Sequence, residues 1–202
     1  MKYIFTTMIA ILLSTPTFAA DIGGKVGVAS DNIFRGVNMS DGFGYSAQGN
    51  LSLDNGIFAG AKVMSMNETS DLMTTAMVGY GFNLGGVDIN VAYVDRGYQG
   101  IDTEGWEEIG VAANFDLFGV YYAKGLDDAG DFYLVDSSAL KVVDVAYGDW
   151  DNAGSYWEIS KSLDLAGGKV KVGFIDHDNN DEDLLDKIQD VDNFYVGYSK
   201  SF

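Results

Sequence analysis

The sequence has no cysteine, a single proline, and only 12 Lys and Arg against 30 Asp and Glu in 202 residues. The absence of cysteine removes disulfides, thiolate metal ligands, iron–sulfur ligation and a thiol nucleophile together. A formal charge of −18 excludes ordinary nucleic-acid binding, which needs a basic footprint to displace counterions. No stretch of the chain after residue 20 approaches the 18 or more apolar residues of a membrane-spanning helix. At 47% hydrophobic, the chain is nonetheless too apolar for a solvated acidic coil. Glycine and aromatics are plentiful, with 26 Gly, 12 Phe and 12 Tyr.

Residues 1–19 read as a secretory signal peptide. Met1-Lys2 is a basic start, Tyr3 to Leu13 a short apolar core, and Thr17 and Ala19 the small residues before a cut site. The apolar run is too short to anchor in a bilayer. Cleavage after Ala19 takes away Lys2 and Pro16, leaving residues 20–202 as one domain that lacks proline and is more acidic still.

That domain alternates at period 2. Tyr45, Ala47, Gly49, Leu51 and Leu53 interleave with Ser46, Gln48, Asn50 and Ser52, and Asp54-Asn55-Gly56 supplies a tight turn. Leu72 to Leu84, Val87 to Tyr93, Ile109 to Phe115 and Val170 to Phe174 repeat the pattern. Two packed sheets would alternate too, but three features favour a transmembrane antiparallel up-and-down β-barrel. Short turns (54–56, 85–86, near 116) alternate with longer polar loops (35–42, 96–104, 178–191). Strands of about ten residues match a tilted bilayer crossing. Aromatics fall towards strand ends (Tyr80, Phe82, Tyr93, Trp106, Phe115, Phe118, Trp150, Trp157), where interfacial girdles belong.

Eleven strands are read directly: 23–34, 43–53, 57–66, 72–84, 87–95, 105–115, 117–125, 139–148, 155–163, 168–177 and 192–202. A barrel with both ends on one side of the membrane needs an even number. Strand directions counted from each end conflict between 126 and 138, and residues 131–136 supply the missing inward strand. Twelve strands are expected, with ten as the alternative. In the last of them Phe194, Val196, Tyr198 and the terminal Phe202 form an alternating aromatic and apolar file, the form of an outer-membrane assembly signal, with Lys200 interposed.

Ser30-Asp31-Asn32-Ile33-Phe34-Arg35-Gly36, with Ser40-Asp41-Gly42 and Gln48-Gly49, resembles the N-terminal signature of the TorF-family porins, proteobacterial outer-membrane proteins. The resemblance extends through Gly56-Ile57-Phe58-Ala59-Gly60, Gly79-Tyr80-Gly81, Glu107-Glu108-Ile109-Gly110 and Gly173-Phe174-Ile175-Asp176 to Ser199-Lys200-Ser201-Phe202. It implies a pore in the bacterial outer membrane and names no solute.

The face opposite the apolar stripe carries Gln48, Asn50, Lys62, Asp88, Asn90, Glu108, Asn114, Asp144, Glu158 and Lys171, expected to line the lumen because lipid would not tolerate them. Small residues there (Gly60, Gly110, Ala112, Gly173, Gly197) leave room for a narrow path. Four acids against two lysines, under acidic loops, predict a weak cation preference. Asp31 and Arg35, four apart on one strand face, are expected to form a rim ion pair. His177, the only histidine, lies between Asp176 and Asp178 and reads as a solvated rim residue, since no nucleophile or G-x-S-x-G elbow accompanies it. Asp176, Asp178, Asp181, Glu182 and Asp183 have the oxygen density a hard cation favours, but as a calcium loop they place Asp181 where glycine is needed and Lys187 where the bidentate Glu belongs.

The expected function is therefore a non-enzymatic, cofactor-free porin-like channel passing small hydrophilic solutes or ions. Its expected partners are lipid, lipopolysaccharide and the assembly machinery. A non-conducting structural or adhesive barrel is the alternative, and a hydrolase the weakest of the three readings.

Overall fold

The computed structural model describes residues 20–40, 42–66, 71–100, 104–126, 129–137, 142–151, 153–178 and 193–202. The expected signal peptide, most of the acidic 176–192 segment and Asp181, Glu182 and Asp183 lie outside them.

The strands in chain order are β1 (Ala20–Ala29), β2 (Ile33–Phe34), β3 (Val37–Asn38), β4 (Gly44–Leu53), β5 (Ile57–Ser65), β6 (Leu72–Leu84), β7 (Val87–Gln99), β8 (Trp106–Asn114), β9 (Gly119–Gly125), β10 (Phe132–Ser137), β11 (Asp144–Trp150), β12 (Gly154–Leu165), β13 (Gly168–Asp178) and β14 (Asn193–Ser201). β1 and β4 to β14 form a closed antiparallel barrel of twelve strands, each paired with its neighbours in order, with β1 joining β14 and β4. Closure pairs each wall strand on both sides and leaves no free sheet edge, the condition for strands in hydrocarbon. The twelfth strand inferred from parity is present as β10, paired with β9 and β11.

Register converts the period-2 pattern into two faces. Directly opposed residues share a face, so the pairing Lys25–Gln48–Lys62–Thr75–Arg96–Trp106 is one continuous row inside the barrel. The opposite face presents Val26, Val28, Val91, Ile109, Val111, Ile159, Val172 and Val196 to the surroundings. Tyr122, Tyr133, Tyr147, Trp157 and Phe194 are exposed on this face towards the end with the longer loops. Phe82, Phe115, Phe118 and Phe202 are exposed towards the end with the tight turns. Apolar wall and aromatic fringes match the outer surface of a membrane barrel.

Three expectations about strand limits change. The first strand stops at Ala29 instead of reaching 34, and residues 33–38 form a separate two-stranded hairpin, Ile33 opposite Asn38 and Phe34 opposite Val37. β7 continues through Arg96 to Gln99, because that stretch pairs with Leu72 to Thr75 of β6. The strand expected at 139–148 runs instead from Asp144 to Trp150.

Candidate functional site

The β2–β3 hairpin lies inside the barrel and divides its lumen. Its two-residue turn is Arg35-Gly36, both at positive φ (50° and 86°), as the tight hairpin turn with a twist matching its strands requires. Glycine holds the second position at no cost, whereas arginine in the left-handed region costs about 1–2 kcal/mol. Gly36 is required sterically as well: a Cβ there would stand 2.5 Å from Tyr156 Cδ1 and 2.7 Å from His177 Cδ2. The base of the hairpin is tied to the wall through Asn32, whose Nδ2 donates to the Ser65 carbonyl (2.9 Å) and Oγ (3.0 Å), while its own backbone N–H donates to Ser40 Oγ (2.8 Å).

At the tip, Arg35 meets the far wall. Arg35 Nη2 donates to both carboxylate oxygens of Glu108 at 2.7 Å. Arg96 forms a second ion pair with Glu108, and Tyr121 OH (3.2 Å) and Trp106 Nε1 (3.3 Å) also donate to it. Glu108 is 1% exposed, Arg35 and Arg96 8% each. The Arg35 guanidinium lies 4.1 Å from the Phe132 ring centroid and 5.3 Å from those of Phe34 and Trp150, within cation–π range. Phe34 in turn contacts Trp106 (6.2 Å) and Trp150 (6.3 Å). Burial, and then the nearby Arg96 charge, pull the Arg35 guanidinium below its ordinary value, while Glu108 opposes both. Two arginines on one carboxylate leave this buried triad with one net positive charge.

Two cavities flank the hairpin. The larger, about 750 Å³, is bordered by Ile33, Phe34 and Arg35 and by Phe58, Met77, Ala92, Gly110 and Leu134 of the wall, and is mostly apolar. The smaller, about 430 Å³, lies between the hairpin and the wall formed by β12 to β14, β1, β4 and β5, and is lined by Lys25, Lys62, Lys169 and Lys171 with Ser46, Ser162 and Ser199. In it Lys171 pairs with Glu158 (2.5 Å), which also accepts from Tyr195 OH (2.6 Å).

All ten residues expected to line the lumen lie on the inner face by register: Gln48, Asn50 and Lys62, Asp88, Asn90, Asn114 and Glu108, and Asp144, Glu158 and Lys171. Among the described residues, only Glu108, Glu158 and Lys171 of these ten are drawn into direct ion pairs. The inner face carries more cations than the count behind the expected cation preference included, and its charges are unevenly placed. Lys25 and Lys169 share the inner face, and Arg35 and Arg96 join them. The inner acids other than Glu108 and Glu158 (Asp21, Asp88, Asp136, Asp144 and Asp164) sit within two residues of the strand ends next to the tight turns. Lys169 also sits at that end, opposite Asp164, so mid-lumen holds Lys25, Lys62, Lys171, Arg35 and Arg96 against Glu108 and Glu158 and is positive.

The Asp31–Arg35 pair does not form. Arg35 is carried away by the hairpin to Glu108, and Asp31 accepts instead from Ser30 Oγ (2.8 Å) and Asn38 Nδ2 (3.0 Å). His177 is no solvated rim residue: it points inward and is 3% exposed beneath the hairpin, opposite Tyr156. Asp176 faces the other way and accepts from Trp157 Nε1 (2.6 Å), so adjacent positions in a strand separate the expected Asp–His neighbours. Among the described residues no group of three or more His, Asp or Glu is placed to hold a metal ion. Trp106 and Trp150, expected in the girdles, face the lumen. Phe194, Val196, Tyr198 and Phe202 lie on the outer face, where Phe202 covers Gly24.

No family model matches this chain, and no curated protein matches it. Among solved structures, the chain is similar to a KdgM porin, with a TM-score of 0.56 and 14% identity over 89% of this chain and 99% of the other. A KdgM porin in complex with disordered oligogalacturonate aligns with a TM-score of 0.56 and 12% identity over 91% and 99%. The likeness is one of fold.

Proposed function

We propose that this protein is an outer-membrane channel for passive diffusion of small hydrophilic solutes, narrowed by its own inserted hairpin. One observation carries the reading: a closed twelve-stranded wall, apolar outside and polar inside, encloses cavities of about 750 and 430 Å³ on either side of the hairpin. A barrel built only as a scaffold has no need of an interior with this charge and volume. The porin fold of the similar structures supports the same reading, as does the resemblance of residues 30–36 to the TorF-family signature. Since these residues form the start and tip of the inserted hairpin, the part of the chain that carries the resemblance is the part that narrows the passage. The outer face would lie against lipid, with the longer loops at the lipopolysaccharide side and the tight turns facing the periplasm. The test is single-channel recording of the refolded protein in planar bilayers. Discrete conductance steps are expected, and their absence under any voltage would favour the second reading, a barrel sealed by the Arg35–Glu108 contact.

A further inference from the structure

The smaller luminal cavity has a charge pattern that its own residues do not neutralise. Lys171 shows what neutralisation looks like here, held against Glu158. Lys25 and Lys62 line the same cavity and have no ion pair among the described residues, whereas Lys169, at its turn end, stands opposite Asp164. Lys25, Lys62 and Arg96 occupy one cross-strand row, separated only by the neutral Gln48 and Thr75. Two strand spacings of about 4.8 Å put successive cations roughly 10 Å apart at the backbone, close enough for long side chains to converge and to repel. Of the two acids at the cavity, Glu158 is engaged by Lys171 and Tyr195, and Asp31 by Ser30 and Asn38. A second observation points the same way. Arg35 borders the same cavity and belongs to the Glu108 triad, which carries one net positive charge.

Uncompensated cations around one cavity are the complement of an anion carrying several acceptor oxygens. Building on the channel reading, we infer that the smaller cavity is a binding site for small multivalent organic anions, their carboxylate or phosphate groups held by Lys25 and Lys62 against the hairpin. Ser46, Ser162 and Ser199 supply neutral hydrogen bonds to the rest of the solute. The acids gathered at the turn end keep such an anion from being bound along the whole passage, so the site is a local well from which it can leave.

The full-length mature chain, folded in detergent at low ionic strength, is titrated calorimetrically with citrate, glucose 6-phosphate and sucrose, and then recorded in planar bilayers under a potassium chloride gradient. Heat-modifiable gel migration confirms that each variant is folded. Binding of citrate, glucose 6-phosphate or both is expected, the difference between them separating carboxylate from phosphate recognition, with sucrose inert. Lys25→Gln and Lys62→Gln should each weaken binding about tenfold, and the reversal potential should favour chloride. Failure of both anions to bind, affinity unchanged in the lysine variants, or a cation-favouring reversal potential overturns the anion site. Lysine-dependent binding by a protein that never conducts supports the site and overturns the channel, whereas conductance without anion binding does the reverse.

Discussion

Replacing Arg35 with alanine should release the hairpin and widen the passage. Arg35 reaches across the lumen to make two hydrogen bonds of 2.7 Å to a carboxylate that is 1% exposed. Removing one partner of a buried ion pair costs about 3–5 kcal/mol. Arg96 stays on Glu108 in the variant, so the carboxylate keeps a counter-charge and the cost falls at the lower end, about 3 kcal/mol. That corresponds to roughly a 150-fold fall in the ratio of docked to undocked hairpin. The wall ladder does not run through the hairpin, so the urea midpoint of the barrel should barely move while single-channel conductance rises. Glu108→Gln should act more strongly, because it leaves two buried guanidinium groups facing each other. In the double variant the effects should be clearly non-additive, since both act through one contact. Conductance in Arg35→Ala equal to that of the unmodified protein, or strictly additive effects with Glu108→Gln, would refute the idea that this contact holds the constriction.

Three further outcomes follow from the same geometry. Gly36→Ala should dislodge the hairpin at a cost of about 2–4 kcal/mol, from the left-handed backbone and the contact with Tyr156 and His177; higher conductance with unchanged heat-modifiability is the readout. Val111→Arg, on the outer face, should lower folding stability in lipid by about 2–4 kcal/mol, whereas Ala112→Ser, one position along and facing the lumen, should stay within about 0.5 kcal/mol; denaturant titration in vesicles separates the two. Deleting Phe202 exposes Gly24 and removes the last aromatic of the outer file, so the folded fraction recovered from the outer membrane should fall, and an undiminished folded band would count against an assembly role.

The barrel was legible in the chain because its cause is local. A strand has a side-chain period of two whatever it pairs with, so Tyr45 to Leu53 or Leu72 to Leu84 declare their two faces without reference to any neighbour. Parity then recovered β10, a strand too short to announce itself. The same rule held more than was taken from it: Lys25 alternates with Ile22, Val26 and Val28 onto the inner face, Lys169 shares the file of Lys171, and Trp106 that of Glu108. Nearness to a strand end suggested girdle positions for Trp106 and Trp150, and alternation was the better guide.

What the chain alone determined is thus the wall: its antiparallel strands, its number of staves, and which residues face lipid and which face the interior. What only the tertiary structure decided is the content of the interior. Ile33 to Asn38 read locally as the end of a first strand, and nothing within that segment says that it turns inward. That outcome depends on Glu108, 73 residues away, on the Tyr156 and His177 rings that admit only a glycine beside them, and on the aromatic cluster around Arg35. A buried charge finds its partner through the closure of the whole barrel, and no periodicity along the chain records a contact that exists only once the first and eighth strands enclose the same space.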